Sequence, residues 1–153
     1  RAAGYTMTIP SEDKKMQRRS EFVDELAVML GGHAAEKEIF GEVSTGAHND
    51  LKRATNLARR MITDYGMSDT MPPRTFGDRG DMIFLGRELH EQRDYSEKVA
   101  ERIDEEMATM IANALKTAQG ILVKHREALE RIVKTLLEKE TIEKDEFQAL
   151  VKA

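Results

Sequence analysis

The sequence predicts a mainly α-helical domain, and three features carry that expectation. Two long stretches, Val99 to Ala118 and Leu122 to Leu137, place apolar residues every three or four positions, the spacing that lines one face of a helix. The strand-like pattern is confined to one short run, Tyr5 to Ile9, which Pro10 stops. The composition is that of an ordinary globular protein, with 34% of residues charged, 5% aromatic and no tryptophan. At 153 residues one domain is expected, with enough chain to bury a core. The architecture expected is therefore one short N-terminal edge strand, a helical body and two long C-terminal helices.

Taken in order, Tyr5 to Ile9 alternates and is rich in Thr and Tyr, as a strand requires. An edge strand can pair with an extended peptide by strand addition, or it can merely finish a small sheet. Ser11 to Arg19 is polar and suits an exposed connection. Ser20 is expected to cap a helix that buries Phe22, Val23, Leu26, Ala27, Met29 and Leu30, and Gly31-Gly32 is expected to end it or let it pack closely. A separate short helical piece, His33 to Phe40, then closes at Gly41.

The stretch Ser44-Thr45-Gly46-Ala47-His48-Asn49-Asp50 comes next. Ser44 or Thr45 can cap the following helix, Gly46 permits a sharp turn, and the helix should run from about Ala47 to Asp64. At about 100° per residue, Asp50 falls beside Ala54, Leu57 and Met61, with Leu51, Ala58, Ile62 and Tyr65 widening the stripe. Asp50 is therefore expected to point into the protein, where a carboxylate must be neutralised, paired with a cation or bound to a metal. An acid in a first helical turn is also favoured by the helix dipole alone. His48 lies two residues away and roughly 160° round the helix, so a metal shared by the two is not expected.

Gly66 should stop this helix, and Pro72-Pro73 with Gly77, Gly80 and Gly86 mark a long irregular stretch from about Ser68 to His90. Ser96 is expected to cap the first long helix, whose buried face is Val99, Ile103, Met107, Met110, Ile111, Ala114, Leu115 and Ala118. Gly120 is expected to interrupt it. The second uses Leu122, Leu129, Ile132, Val133, Leu136 and Leu137, with His125 packed on its rim, and a last short helix begins at Thr141. These faces can serve either the core or a subunit contact.

Composition excludes several classes. Net charge is −4, with both signs interspersed and no basic stripe, which argues against nucleic acid as a main partner. Without cysteine, any metal must be held by His, Asp or Glu. No apolar run approaches a bilayer span, and no Gly-x-x-x-x-Gly-Lys-[Ser/Thr] loop is present to hold a nucleotide phosphate.

Ser44-Thr45-Gly46-Ala47-His48-Asn49-Asp50-Leu51, together with Leu30-Gly31-Gly32-His33-Ala34-Ala35-Glu36 and Ala58-Arg59-Arg60-Met61, resembles the proteolytic domain of FtsH-type ATP-dependent zinc metalloproteases. The likeness continues through Tyr65-Gly66-Met67-Ser68, Phe84-Leu85-Gly86-Arg87, Asp94-Tyr95-Ser96 and Leu137-Glu138-Lys139-Glu140-Thr141. The resemblance implies that Asp50 is the third protein ligand of a catalytic zinc, and that Glu36, where the family has a glutamate close to the metal, supports the site from outside the ligand set. A surface salt bridge is the alternative for Glu36. Residues 1–95 would then form the metal-side half and 96–153 the C-terminal helices. The resemblance further implies a membrane-anchored, hexameric parent at the cytoplasmic face of an inner membrane, which uses ATP in another module to degrade unfolded or membrane proteins.

One departure governs the expectation of activity. The family's first two zinc ligands and its general base come from a His-Glu-x-x-His helix, and none of His33, His48, His90 and His125 begins such a motif. His90-Glu91 starts it, and Gln92-Arg93-Asp94 breaks it. The chain thus reads as the C-terminal portion of a metalloprotease domain, starting partway through, with an incomplete zinc site, no catalytic residue of its own and no activity alone. The competing reading is a helical assembly or adaptor module without chemistry.

Overall fold

The computed structural model describes residues 16–77 and 94–152. Among them the secondary structure is helical: α1 (Arg19–Phe40), a 3₁₀ turn (Thr45–Ala47), α2 (His48–Thr63), α3 (Glu97–Lys124), α4 (Arg126–Lys139) and α5 (Lys144–Lys152). The strand expected at Tyr5 to Ile9 lies outside the described residues, as does the second half of the expected irregular stretch.

Helices α1, α2 and α3 pack on one another around a single core. Leu26 and Leu30 of α1 meet Met61 and Ile62 of α2, all four essentially sealed from solvent. Ala54 and Ala58 of α2, with Ile103, Met107, Met110 and Ala114 of α3, complete the interior. The apolar stripes read from the sequence for these helices are thus largely the faces that are buried, with Tyr65, 40% exposed, an exception.

The boundaries differ from expectation in four places. The first helix begins at Arg19, with Arg18 rather than Ser20 at its cap position, where the Arg18 N–H donates to Glu21 Oε2 at 2.7 Å. It then runs unbroken through Gly31-Gly32, so the two expected pieces are one helix of 22 residues. A glycine inside a helix costs roughly 0.5–1 kcal/mol, which cannot outweigh the burial of Met29, Leu30 and Ala34 around the pair. A Cβ at either glycine would meet nothing within 4 Å, so close packing is not their role either.

Likewise Gly120 does not interrupt α3, which begins at the expected Ser96 cap and continues to Lys124. The break falls at His125, whose ψ of 30° takes the chain out of helical geometry, and His125 is exposed rather than packed on a rim. The last helix begins at Lys144, three residues after Thr141. Its first turn is closed by the Phe147 N–H donating to Glu143 O at 2.9 Å.

Beyond α2, the described residues 64–77 are tied back to the helix. The Met67 N–H donates to Met61 O at 2.8 Å and the Phe76 N–H to Thr63 O at 2.9 Å, while Met71 and Phe76 enter the core. Helix α4 is held more lightly. Arg126 pairs with Glu38 of α1 at 3.7 Å, and Arg131 donates to Leu150 O of α5 from Nε and Nη2 at 3.1 and 2.9 Å.

Candidate metal-ligand site at the start of α2

Helix α1 ends because Gly41 turns left-handed, with φ of 73°, a conformation that disfavours any Cβ. Its N–H donates to Lys37 O at 3.1 Å. The chain then doubles back, and Ser44 comes to lie against Glu36, one turn short of the helix end. The Ser44 N–H donates to Glu36 Oε2 at 2.9 Å, and the Ser44 hydroxyl donates to Glu36 Oε1 at 2.7 Å. The same hydroxyl oxygen accepts from the Gly46 N–H at 3.0 Å.

These contacts correct the expected capping. Ser44 caps the 3₁₀ turn rather than α2 itself, whose cap position is Ala47 and carries no side-chain hydrogen bond. Gly46 is needed for space: a Cβ there would sit 3.2 Å from Ser44 Oγ and 3.3 Å from Glu36 Oε1. The two hydrogen bonds from Ser44 hold the Glu36 carboxyl below the usual carboxylate range against the opposing effect of desolvation, with nearby His33 adding a smaller pull.

Asp50 occupies the first turn of α2, as expected, but it does not point into the protein. Its side chain is 46% exposed, with Oδ1 3.6 Å from Arg53 Nη1. Ala54, one turn on, is fully buried and Leu51 packs on the core, so the stripe holds around Asp50 although Asp50 itself stands half-exposed. No burial penalty therefore has to be relieved by a metal. An exposed pair of this kind contributes about 0–1 kcal/mol and leaves carboxylate lone pairs free.

The donor chemistry suits one zinc ligand: an oxygen carboxylate at a helix N-terminus, where the dipole favours its ionised form. A full set is another matter. Among the described residues no three His, Asp or Glu side chains come together as a metal requires. His48 is exposed beside Asp50 in sequence without joining it in such a group, and His33 lies on α1 before Glu36.

A second carboxylate escaped the reading of the sequence. Glu106 of α3 is only 6% exposed. It accepts from the Ser68 hydroxyl at 2.6 Å, the Asp69 N–H, and the Thr70 hydroxyl at 2.9 Å. Burial pushes its carboxyl up, but these three donors and the Arg19 guanidinium outweigh burial and hold it below the usual range. Arg19 donates to Met67 O at 3.1 Å and pairs with Asp69, and Arg102 donates to Thr70 O at 2.6 Å. Glu106 thus anchors the segment leaving α2 and lines an open groove of about 580 Å³ with Arg19, Val23 and Met110. The signal was its place inside the stripe, between Ile103 and Met110.

The model of peptidase family M41 matches residues 1–150. A protein of Sphaerobacter thermophilus described as ATP-dependent zinc metalloprotease FtsH 1 is 51% identical over 96% of this chain and 22% of its own length. One of Thermoanaerobacter with the same description is 47% identical, over 97% of this chain and 24% of its own. In Bacillus subtilis, an ATP-dependent zinc metalloprotease FtsH is 44% identical over 98% of this chain and 24% of its own. The chain therefore spans about a quarter of the curated relatives it matches.

Proposed function

The chain belongs to peptidase family M41, and we propose that it supplies the C-terminal portion of the proteolytic domain of an ATP-dependent zinc metalloendopeptidase. Asp50 is the residue of this chain that ligates zinc, and Glu36 supports it without being a ligand. Zinc held by a complete ligand set lowers the pKa of bound water and polarises a peptide carbonyl. What this chain provides toward that chemistry is a single oxygen donor on a rigid helix.

The observation that carries the reading is the state of Asp50: a carboxylate in the first turn of a well-packed helix, half-exposed, and held by nothing stronger than a loose pair with Arg53. The remaining ligands and the general base belong, by resemblance, to a His-Glu-x-x-His helix that this sequence does not contain. The 153 residues alone are accordingly proposed to lack proteolytic activity and stoichiometric zinc.

Further properties are proposed with the same reading on the strength of the family resemblance; the relatives' own descriptions name ATP-dependent zinc metalloproteases. ATP is used by a separate module, substrates are unfolded or membrane proteins, and the intact parent is a homohexamer at the cytoplasmic face of an inner membrane. No helix among the described residues is long and apolar enough to cross a membrane. A second reading, a helical assembly module without chemistry, draws on the absence of a three-ligand group among the described residues.

The deciding experiment is Asp50→Asn in a full-length protease carrying this chain. The amide still accepts hydrogen bonds at the helix terminus but is a neutral, poor zinc ligand. Loss of chelator-sensitive proteolysis and of bound zinc, with helix content unchanged, is expected. Normal turnover and zinc content in the Asn variant would leave Asp50 with a helix-dipole role of about 0.3–1 kcal/mol and favour the second reading.

A further inference from the structure

We propose that Glu36 is a positioning residue that acts through Ser44, latching the turn that sets where Asp50 stands. The proposal rests on Asp50 being a ligand, and three observations carry it. Both Glu36 oxygens are committed to Ser44, one to its N–H at 2.9 Å and one to its hydroxyl at 2.7 Å. Each oxygen keeps a further lone pair, but the carboxylate as a whole is fixed against Ser44.

The latch is also relayed onward. Ser44 Oγ accepts from the Gly46 N–H at 3.0 Å, and a Cβ on Gly46 would crowd both latch oxygens, at 3.2 and 3.3 Å. Glycine is what lets the backbone close on the pair. Finally, little slack separates the latch from Asp50. The 3₁₀ turn Thr45–Ala47 passes directly into α2, the His48 N–H donates to Thr45 O, and Ala47 is buried. Helix α2 has no side-chain cap at Ala47, so the device fixing its start is the latch upstream. A shift at Ser44 is transmitted along a continuous hydrogen-bonded turn to the first turn of α2, where Asp50 sits.

The test pairs two readouts. Amide hydrogen exchange of Ser44 and Gly46 is measured by NMR in the 153-residue chain, and zinc affinity is measured in a full-length protease carrying it. Glu36→Ala is expected to speed exchange at both amides by at least about tenfold and to weaken zinc by about 10–100-fold, with α2 intact. Glu36→Gln should restore most of both, because its carbonyl oxygen can accept from the Ser44 N–H while its NH₂ donates to Ser44 Oγ. Ser44→Ala keeps the backbone link and loses the relay, so it should loosen Gly46 more than Ser44; it also serves should Glu36→Ala fail to fold.

Three results would overturn the proposal. Zinc loss in Glu36→Gln as severe as in Glu36→Ala, with the Ser44 amide still protected, would make Glu36 a ligand. Protected amides and undiminished zinc in Glu36→Ala would make the latch idle. Loosened amides with undiminished zinc would cut the link to the site, and Asp50→Asn then separates the causes: if that variant loses zinc, only the latch proposal fails, and if it keeps zinc, Asp50 as ligand fails too.

Discussion

Two regions of the molecule carry apolar stripes and put them to different uses. In α1, α2 and α3 the stripes face one another, and Leu26, Leu30, Met61 and Ile62 are sealed. In α4 the buried residue is Ala128, and α5 buries none. Val133, Leu136, Leu137, Phe147 and Val151 remain 40–81% exposed. Periodicity of about 3.6 reports that a helix has an apolar side; it does not report what covers that side. The part of the chain that carries Asp50 and Glu36 is thus rigidly founded, while the C-terminal arm is held by a few polar ties.

The sharpest way to break this contrast is to cut into the first region. Leu26→Ala should destabilise the chain by about 2–5 kcal/mol, since a sealed leucine leaves a cavity that three packed helices cannot close. Urea denaturation followed by circular dichroism reads it directly. A loss below about 1 kcal/mol would mean that the α1–α3 core is far looser than its burial implies.

Next comes Glu106, which ties the segment after α2 to α3. Glu106→Gln keeps the shape but weakens three hydrogen bonds to a charged acceptor, an expected loss of about 1.5–3 kcal/mol. The pH dependence has a definite sign. Its folded carboxyl titrates lower than in the unfolded chain, so its contribution is complete above the ordinary carboxylate range and fades as pH falls through the lowered folded value. The wild-type chain should therefore lose stability more steeply than Glu106→Gln as pH drops below about 4, the ordinary glutamate value being about 4.3. Parallel acid profiles would remove the anchor role.

These cases show what could be read before the structure. The buried faces of α1, α2 and α3, the Ser96 cap and the place of Asp50 in a first turn all follow from spacing, because burial imposes the helical period on the sequence. The glycines misled at Gly31-Gly32 and Gly120, because a local penalty near 1 kcal/mol yields to a helix anchored on both sides. Asp50 shares the angular position of Ala54, but angle does not set depth: it stands half-exposed although neighbouring Leu51 packs on the core. Glu36 was legible only by resemblance, since its partner Ser44 is brought to it by a reversal at Gly41 that no periodicity encodes. Glu106 was visible as an acid inside an apolar stripe, but its partners at Ser68 to Thr70 lie more than thirty residues away.

Helix ends sharpen the contrast between the regions at smaller scale. Helix α1 closes on Gly41 with φ of 73°, whereas α4 closes on Glu140 with φ of 62°, a left-handed conformation that costs a side-chain-bearing residue roughly 1–2 kcal/mol. Glu140→Gly relieves that strain but frees the unfolded chain, so a net gain of about 0.5–1 kcal/mol is expected. The gain should appear as slower amide exchange in the last turn of α4. Unchanged or faster exchange there would show that the left-handed turn at Glu140 is not what limits the arm.

The smallest expected effect is the most telling about the arm. Leu137 is 81% exposed on α4, so Leu137→Ala removes little apolar contact from the folded chain and should shift stability by no more than about 0.5 kcal/mol. Were the same face covered by a second copy, burying a leucine there would contribute about 1.5–3 kcal/mol, and the stability of the wild-type chain would rise with its concentration. Thermal unfolding of wild type and Leu137→Ala at two concentrations a hundredfold apart separates the cases. Coincident, concentration-independent midpoints leave α4 and α5 as an arm with an open apolar side. A wild-type midpoint that climbs with concentration, while that of Leu137→Ala stays low, would show that this side is a contact between chains and that the two regions differ in partner rather than in packing.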